Sequence, residues 1–128
     1  MENYLSVLIC DDSLLIRKKL RDTLAKCKFK EIFEAENGNV AVEMVKDHNP
    51  DLIFMDIVMP EKDGIEALKE IKSIYPNTKV VMASSVGTSE LLKKALENGA
   101  YDFIQKPIKQ EAVFNLIEKV LKEGRVNV

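Results

Sequence analysis

The chain has 128 residues, of which 46% are hydrophobic and 31% charged, with a formal net charge of −2. That length suits one domain with its own core, and residues 1–128 are read as a single domain with a core from about 5 to about 121. The balance excludes a disordered tail and a basic nucleic-acid surface, and no stretch has the length of a membrane span.

In chain order, Met1 to Ser6 forms no secretory signal segment. The apolar run Val7-Leu8-Ile9-Cys10 predicts a buried strand that ends in Asp11-Asp12. Cys10 reads as a small buried hydrophobe, and with Cys27 as a free thiol of a reducing cytosol, since two cysteines make no disulfide framework. Ile16, Leu20 and Leu24, spaced four apart, predict a helix that Asp12-Ser13 can cap. Glu31 to Glu36 predicts a strand, and its charges mark it as an edge.

Asn37-Gly38 and Asn49-Pro50 punctuate the next segment. His48, within the polar stretch Lys46 to Pro50, reads as a loop residue, and as the only histidine it rules out a multi-histidine metal site. Leu52 to Met55 predicts a fully buried strand that ends at Asp56. Ala67, Ile71 and Ile74 share a helical face, and Pro76-Asn77 ends it. Val80 to Ala83 is another buried strand, followed by Ser84, and Asn98-Gly99 closes the helix after it. Tyr101 to Gln105 predicts a polar edge strand followed by Lys106, and Val113, Leu116, Ile117, Val120 and Leu121 form the stripe of a last helix.

Strand and helix therefore alternate five times, which predicts a three-layer α/β fold with a parallel sheet between helices. Placing the second and fifth strands at the edges, with right-handed crossovers, gives the order 2-1-3-4-5 of a flavodoxin-like (βα)5 domain. The winding then reverses between the first and third strands, and ligands bind at the carboxyl ends of the strands flanking that crevice.

Asp11, Asp12 and Asp56 all converge there, since neighbouring strands lie about 4.8 Å apart. At about 5 Å and an effective dielectric of about 20, each like-charge pair costs roughly 3 kcal/mol. Three such acids call for a cation, and an all-carboxylate site suits Mg²⁺ before Mn²⁺. Ser84 and Lys106 end adjacent strands at the same rim and add a hydroxyl and a point charge suited to phosphate oxygens. A carboxylate can be a covalent nucleophile toward phosphorus, and charge neutralisation is the main help it needs.

Four segments carry a resemblance: Val-Leu-Ile-Cys-Asp11-Asp12-Ser, Asp-Leu-Ile-Phe-Met-Asp56-Ile-Val-Met-Pro60-Glu-Lys-Asp-Gly64, Val-Val-Met-Ala-Ser84-Ser85 and Gly-Ala-Tyr-Asp-Phe103-Ile-Gln-Lys106-Pro107. From about Leu5 to about Leu121 the chain resembles the receiver domains of two-component response regulators. The resemblance implies that Asp56 takes a phosphoryl group from the phosphohistidine of a sensor histidine kinase or phosphotransfer protein. It implies Mg²⁺ on Asp12, Asp56 and the backbone carbonyl of Val58, with Asp11 acting through water. Lys106 would contact the phosphoryl group, Ser84 would hydrogen-bond it, and Phe103 looks like the aromatic residue that turns inward. Of the adjacent serines only one hydroxyl can face the site, and the resemblance favours Ser84 over Ser85. A cis Lys106-Pro107 bond is also expected from it.

Val58 and Val86 occupy positions that tune hydrolysis in the family, and both are apolar, so slow self-hydrolysis is expected. The fourth helix, fifth strand and fifth helix (Ser89 to Leu121) are the expected output surface toward a downstream protein. The chain is read as cytoplasmic, with neither membrane insertion nor direct DNA binding, and no output domain is expected within it. Beyond its own phosphorylation and slow dephosphorylation it is not read as a conventional enzyme. An aspartate-nucleophile phosphohydrolase would need a second acid where Val58 stands. A flavin or nucleotide module would need a Gly-rich loop where Asp11-Asp12 stand. An interaction domain that works without phosphorylation has no need of all five site residues.

Overall fold

The computed structural model describes residues 4–85 and 89–126, with side chains as far as residue 123. The elements alternate as β1 (Ser6–Cys10), α1 (Leu14–Ala25), β2 (Glu31–Ala35), α2 (Gly38–His48), β3 (Leu52–Asp56), α3 (Gly64–Ile74), β4 (Lys79–Ser84), α4 (Ser89–Glu97), β5 (Asp102–Gln105) and α5 (Gln110–Val126). All strand pairs are parallel, in the order β2-β1-β3-β4-β5. That is the flavodoxin-like (βα)5 order expected from the apolar runs.

Strand alternation divides the core between the two faces of the sheet. Leu8, Cys10, Ile53, Met55, Val80 and Met82 lie on one face with Val42, Leu68 and Ile71 of α2 and α3. Val7, Ile9, Phe54, Val81 and Ala83 lie on the other with Leu20 and Leu24 of α1 and Val113 and Ile117 of α5. Both faces are covered, which explains why β1, β3 and β4 are almost purely apolar. Edge strand β5 leaves Phe103 and Gln105 exposed.

Polar side chains start α1, α2 and α3, Ser13 among them as the sequence predicts. Ile16 N–H donates to Ser13 Oγ at 3.3 Å, Val40 N–H to Asn37 Oδ1 at 2.9 Å and Glu66 N–H to Asp63 Oδ1 at 2.9 Å. His48 departs from the expected loop: it is the last residue of α2, which Asn49 closes in the left-handed region at φ 44°. Its ring stacks on Phe33 with centroids 4.3 Å apart, a contact that favours continuing the helix through Lys46, Asp47 and His48 of the polar run. Among the described residues no helix is long and apolar enough to cross a membrane.

Candidate functional site

The ladders bring the acids together. Cys10 of β1 pairs with Met55 of β3, so Asp11, just past β1, and Asp56, the last residue of β3, stand at equivalent heights. Asp56 in turn pairs with Ala83, which places Ser84 one residue beyond it on β4. Asp11 and Asp56 are buried, at 3% and 7% exposure, whereas Asp12 is exposed. One carboxylate oxygen from each of Asp11, Asp12 and Asp56 lies within 4.8 Å of the other two. At that spacing the buried pair Asp11–Asp56 repels by about 3 kcal/mol at an effective dielectric of ~20.

Lys106 answers part of that charge. Its N–H donates to the Ser84 carbonyl at 2.7 Å, fixing the chain as it leaves β5, and its Nζ lies 2.9 Å from Asp11 Oδ2 and 3.2 Å from Asp56 Oδ2. Burial works against the Lys106 ammonium, but hydrogen bonds and charge from Asp11 and Asp56 outweigh it and hold its pKa above the usual lysine value. For Asp56 the balance runs the other way: burial and the Asp11 charge raise its pKa, against Lys106 and a hydrogen bond from the Val58 backbone. Three carboxylates less one ammonium leave a local charge of −2.

The donor set fits a hard divalent cation. Octahedral Mg²⁺ holds oxygens about 3–4 Å apart, so atoms gathered within 4.8 Å need contract by only about 1 Å. Cys10 underlies the cluster, and burial, followed by the charges of Asp11 and Asp56, pushes its thiol up to about 12, so it offers no thiolate ligand.

The segment after Asp56 is held down by Gly64, whose N–H donates to the Ile57 carbonyl at 2.8 Å. A Cβ at Gly64 would overlap the Asp56 carbonyl oxygen. Val58 is 58% exposed beside the acid, and Val86 lies outside the described residues. Ser84 is buried and Ser85 exposed, while Phe103 is 47% exposed with its backbone paired to Met82. The Lys106–Pro107 peptide is cis, as the resemblance implies.

Arg17 carries no motif and escapes the sequence reading. Its Nη1 donates to the Asp11 carbonyl at 2.7 Å and its Nε pairs with Glu34 Oε1 at 3.0 Å. The available signal was Glu34 itself, a charge inside a strand, together with Arg17 and Arg21 four apart on one helix.

An acid triad at the switch point of a 2-1-3-4-5 sheet, bridged by a lysine from β5, defines a class of phosphate-handling signalling domains. The chain belongs to the response regulator receiver domain family, whose model matches residues 7–118. Chemotaxis protein CheY of Bacillus subtilis is 46% identical over 115 residues, covering 90% of this chain and 96% of the relative. CheY of Thermotoga maritima is 42% identical over 116 residues, covering 91% and 97%.

Among solved structures, the CheX-CheY-BeF3-Mg²⁺ complex of Borrelia burgdorferi matches with a TM-score of 0.85 and 36% identity, over 91% of this chain and 89% of that one. The receiver domain of NtrX from Brucella abortus matches with a TM-score of 0.80 and 32% identity, over 91% and 98%. The chain is thus a receiver domain of two-component phosphorelay signalling. Receiver domains bind Mg²⁺ at an acidic pocket, and the Asp11–Asp12–Asp56 cluster has that character.

Proposed function

We propose that this domain acts in the cytoplasm, that Asp56 is the phosphoacceptor and takes its phosphoryl group from the phosphohistidine of a sensor histidine kinase or phosphotransfer protein, and that the α4-β5-α5 face passes the signal to a downstream protein. The observation that carries this reading is the Lys106 ammonium lying between Asp11 and Asp56 with Asp12 alongside.

A carboxylate oxygen of Asp56 forms the new bond to phosphorus in line with the departing imidazole nitrogen, which keeps the electron pair of the broken P–N bond. Lys106 stabilises the charge spread over the phosphoryl oxygens. Asp12, Asp56 and the Val58 carbonyl would hold Mg²⁺ (or Mn²⁺), with Asp11 acting through water, and the bound ion would supply further neutralisation of those oxygens. The phosphoryl group adds acceptor oxygens that were absent before, and the Ser84 hydroxyl and Lys106 gain contacts with them. The conformation that supplies these contacts rises in population, and the exposed Phe103 ring turns inward as it does. Apolar Val58 cannot hold an attacking water by hydrogen bonding, which favours slow self-hydrolysis.

The test uses Mg²⁺ with acetyl phosphate. Wild-type protein is expected to gain the mass of one phosphoryl group on Asp56, and Asp56→Asn none. With Mg²⁺ and beryllofluoride, amide shifts are expected at Ser84, Phe103 and Lys106 and along α4 and α5. Mass gain at another residue, or an unchanged spectrum on those elements, rejects the assignment.

A further inference from the structure

β1 ends at Cys10, so the chain leaves the sheet just where its two acids begin. The two ends of Asp11 are then held by different means. Its N–H donates to the Ala35 carbonyl at 3.1 Å, its Oδ1 accepts from Ser13 N–H at 2.9 Å and its Oδ2 from Lys106. Its carbonyl, which opens the peptide leading to Asp12, is bound by Arg17 Nη1 at 2.7 Å. The Arg17 side chain is only 13% exposed and is braced by Glu34. Glu34 pairs also with Arg21, 2.6 Å away, whose Nη2 donates to the Ile32 carbonyl at 2.9 Å. The planar fork of a guanidinium presents Nη1 to the carbonyl and Nε to the carboxylate from two separate nitrogens in fixed geometry, which the single nitrogen of a lysine does not reproduce.

We propose that Arg17 is a positioning residue for cation binding: it pins the Asp11–Asp12 peptide so that the exposed Asp12 carboxylate stays within reach of Asp11 and Asp56. This rests on the reading of the acid cluster as a cation site. Asp12 is exposed, so its place depends on the main chain that carries it. Groups that orient a ligand without touching the metal govern affinity by fixing geometry.

Charge and position act in opposite directions here, which makes the role testable. A guanidinium beside the cluster repels a divalent cation, so deleting it for its charge alone tightens Mg²⁺ binding. Deleting a positioning group weakens it. Calorimetric titration with MgCl₂ of wild type and Arg17→Ala is expected to show a dissociation constant raised about tenfold in the variant. Saturating Mg²⁺ is expected to restore the rate of phosphorylation by acetyl phosphate, since Arg17 touches no reacting atom. Should Arg17→Ala not fold, Arg17→Lys decides by the same criterion, because its amine keeps the charge but lacks the fork. Binding as tight as wild type, or tighter, in the variant that decides the test overturns the role of Arg17. A wild-type protein that binds no Mg²⁺ in the same titration overturns the cation site itself.

Discussion

Lys106 Nζ lies 2.9 Å from Asp11 Oδ2, joining the ends of β1 and β5 across 95 residues of chain. The ammonium offsets the repulsion between two buried carboxylates. Lys106→Met is therefore expected to destabilise the metal-free protein by about 2 kcal/mol at neutral pH, less than the roughly 3–5 kcal/mol of a fully buried pair because the lysine is partly exposed. Its folded pKa is raised from the ordinary 10.5, so this stabilisation is complete below that value and is lost as pH rises through the raised one. Urea titrations of both proteins between about pH 8 and pH 11.5 should show the gap narrowing at the alkaline end.

Asp56 titrates in the opposite sense to most carboxylates. Burial and Asp11 raise its folded pKa above 3.8, so its favourable contribution is fully present below 3.8 and is lost as pH rises through the raised value. Asp56→Asn is expected to be more stable than wild type by about 1 kcal/mol at neutral pH in EDTA, because burial and the Asp11 charge together disfavour the Asp56 carboxylate by more than Lys106 offsets. Thermal melts should bring the two together as pH falls toward about 4. A variant less stable than wild type at neutral pH would contradict this account.

Val58 stands exposed beside Asp56, and its side chain has no group to hold water. Val58→Asn is expected to shorten the lifetime of phosphorylated Asp56 about tenfold, less than the roughly 100-fold or more of a proton-transfer group, because an amide can only orient the water. Stability should change by less than about 0.5 kcal/mol, because the valine is mostly in solvent. Phosphoryl release measured on purified protein, alongside a melt, checks both parts.

Far from the site, Lys28 adopts φ 53° just after α1. A side chain there costs about 1 kcal/mol, partly recovered in the unfolded state by the lower freedom of a non-glycine residue. Lys28→Gly is expected to gain about 0.5 kcal/mol, a rise in Tm of roughly 2 °C. Phosphorylation should be unaffected, and a fall in Tm would show that the lysine's own contacts matter more.

The sheet order was legible because both faces of β1, β3 and β4 are covered, which leaves their sequences almost purely apolar between punctuating turns. The convergence of Asp11, Asp12 and Asp56 followed from that order, since strand ends at a switch point share one rim. Arg17 was not legible, because its two partners come from β1 and β2 and only the folded crossover brings them to one guanidinium. His48 misled for a local reason: the final turn of α2 is as polar as a loop, and the stacking on Phe33 is not visible in the sequence. The degree to which the Phe103 ring faces solvent depends on the packing around β5, which no spacing in the chain encodes.

Gly64 has no reactive group, yet its α-carbon abuts the main chain of Asp56 so closely that even one methyl would collide with it. Random mutagenesis scored for signalling should therefore find this position as intolerant of replacement as the acids themselves. A strictly invariant site in a library is in that case a record of steric exclusion, and no chemical role should be assigned to it.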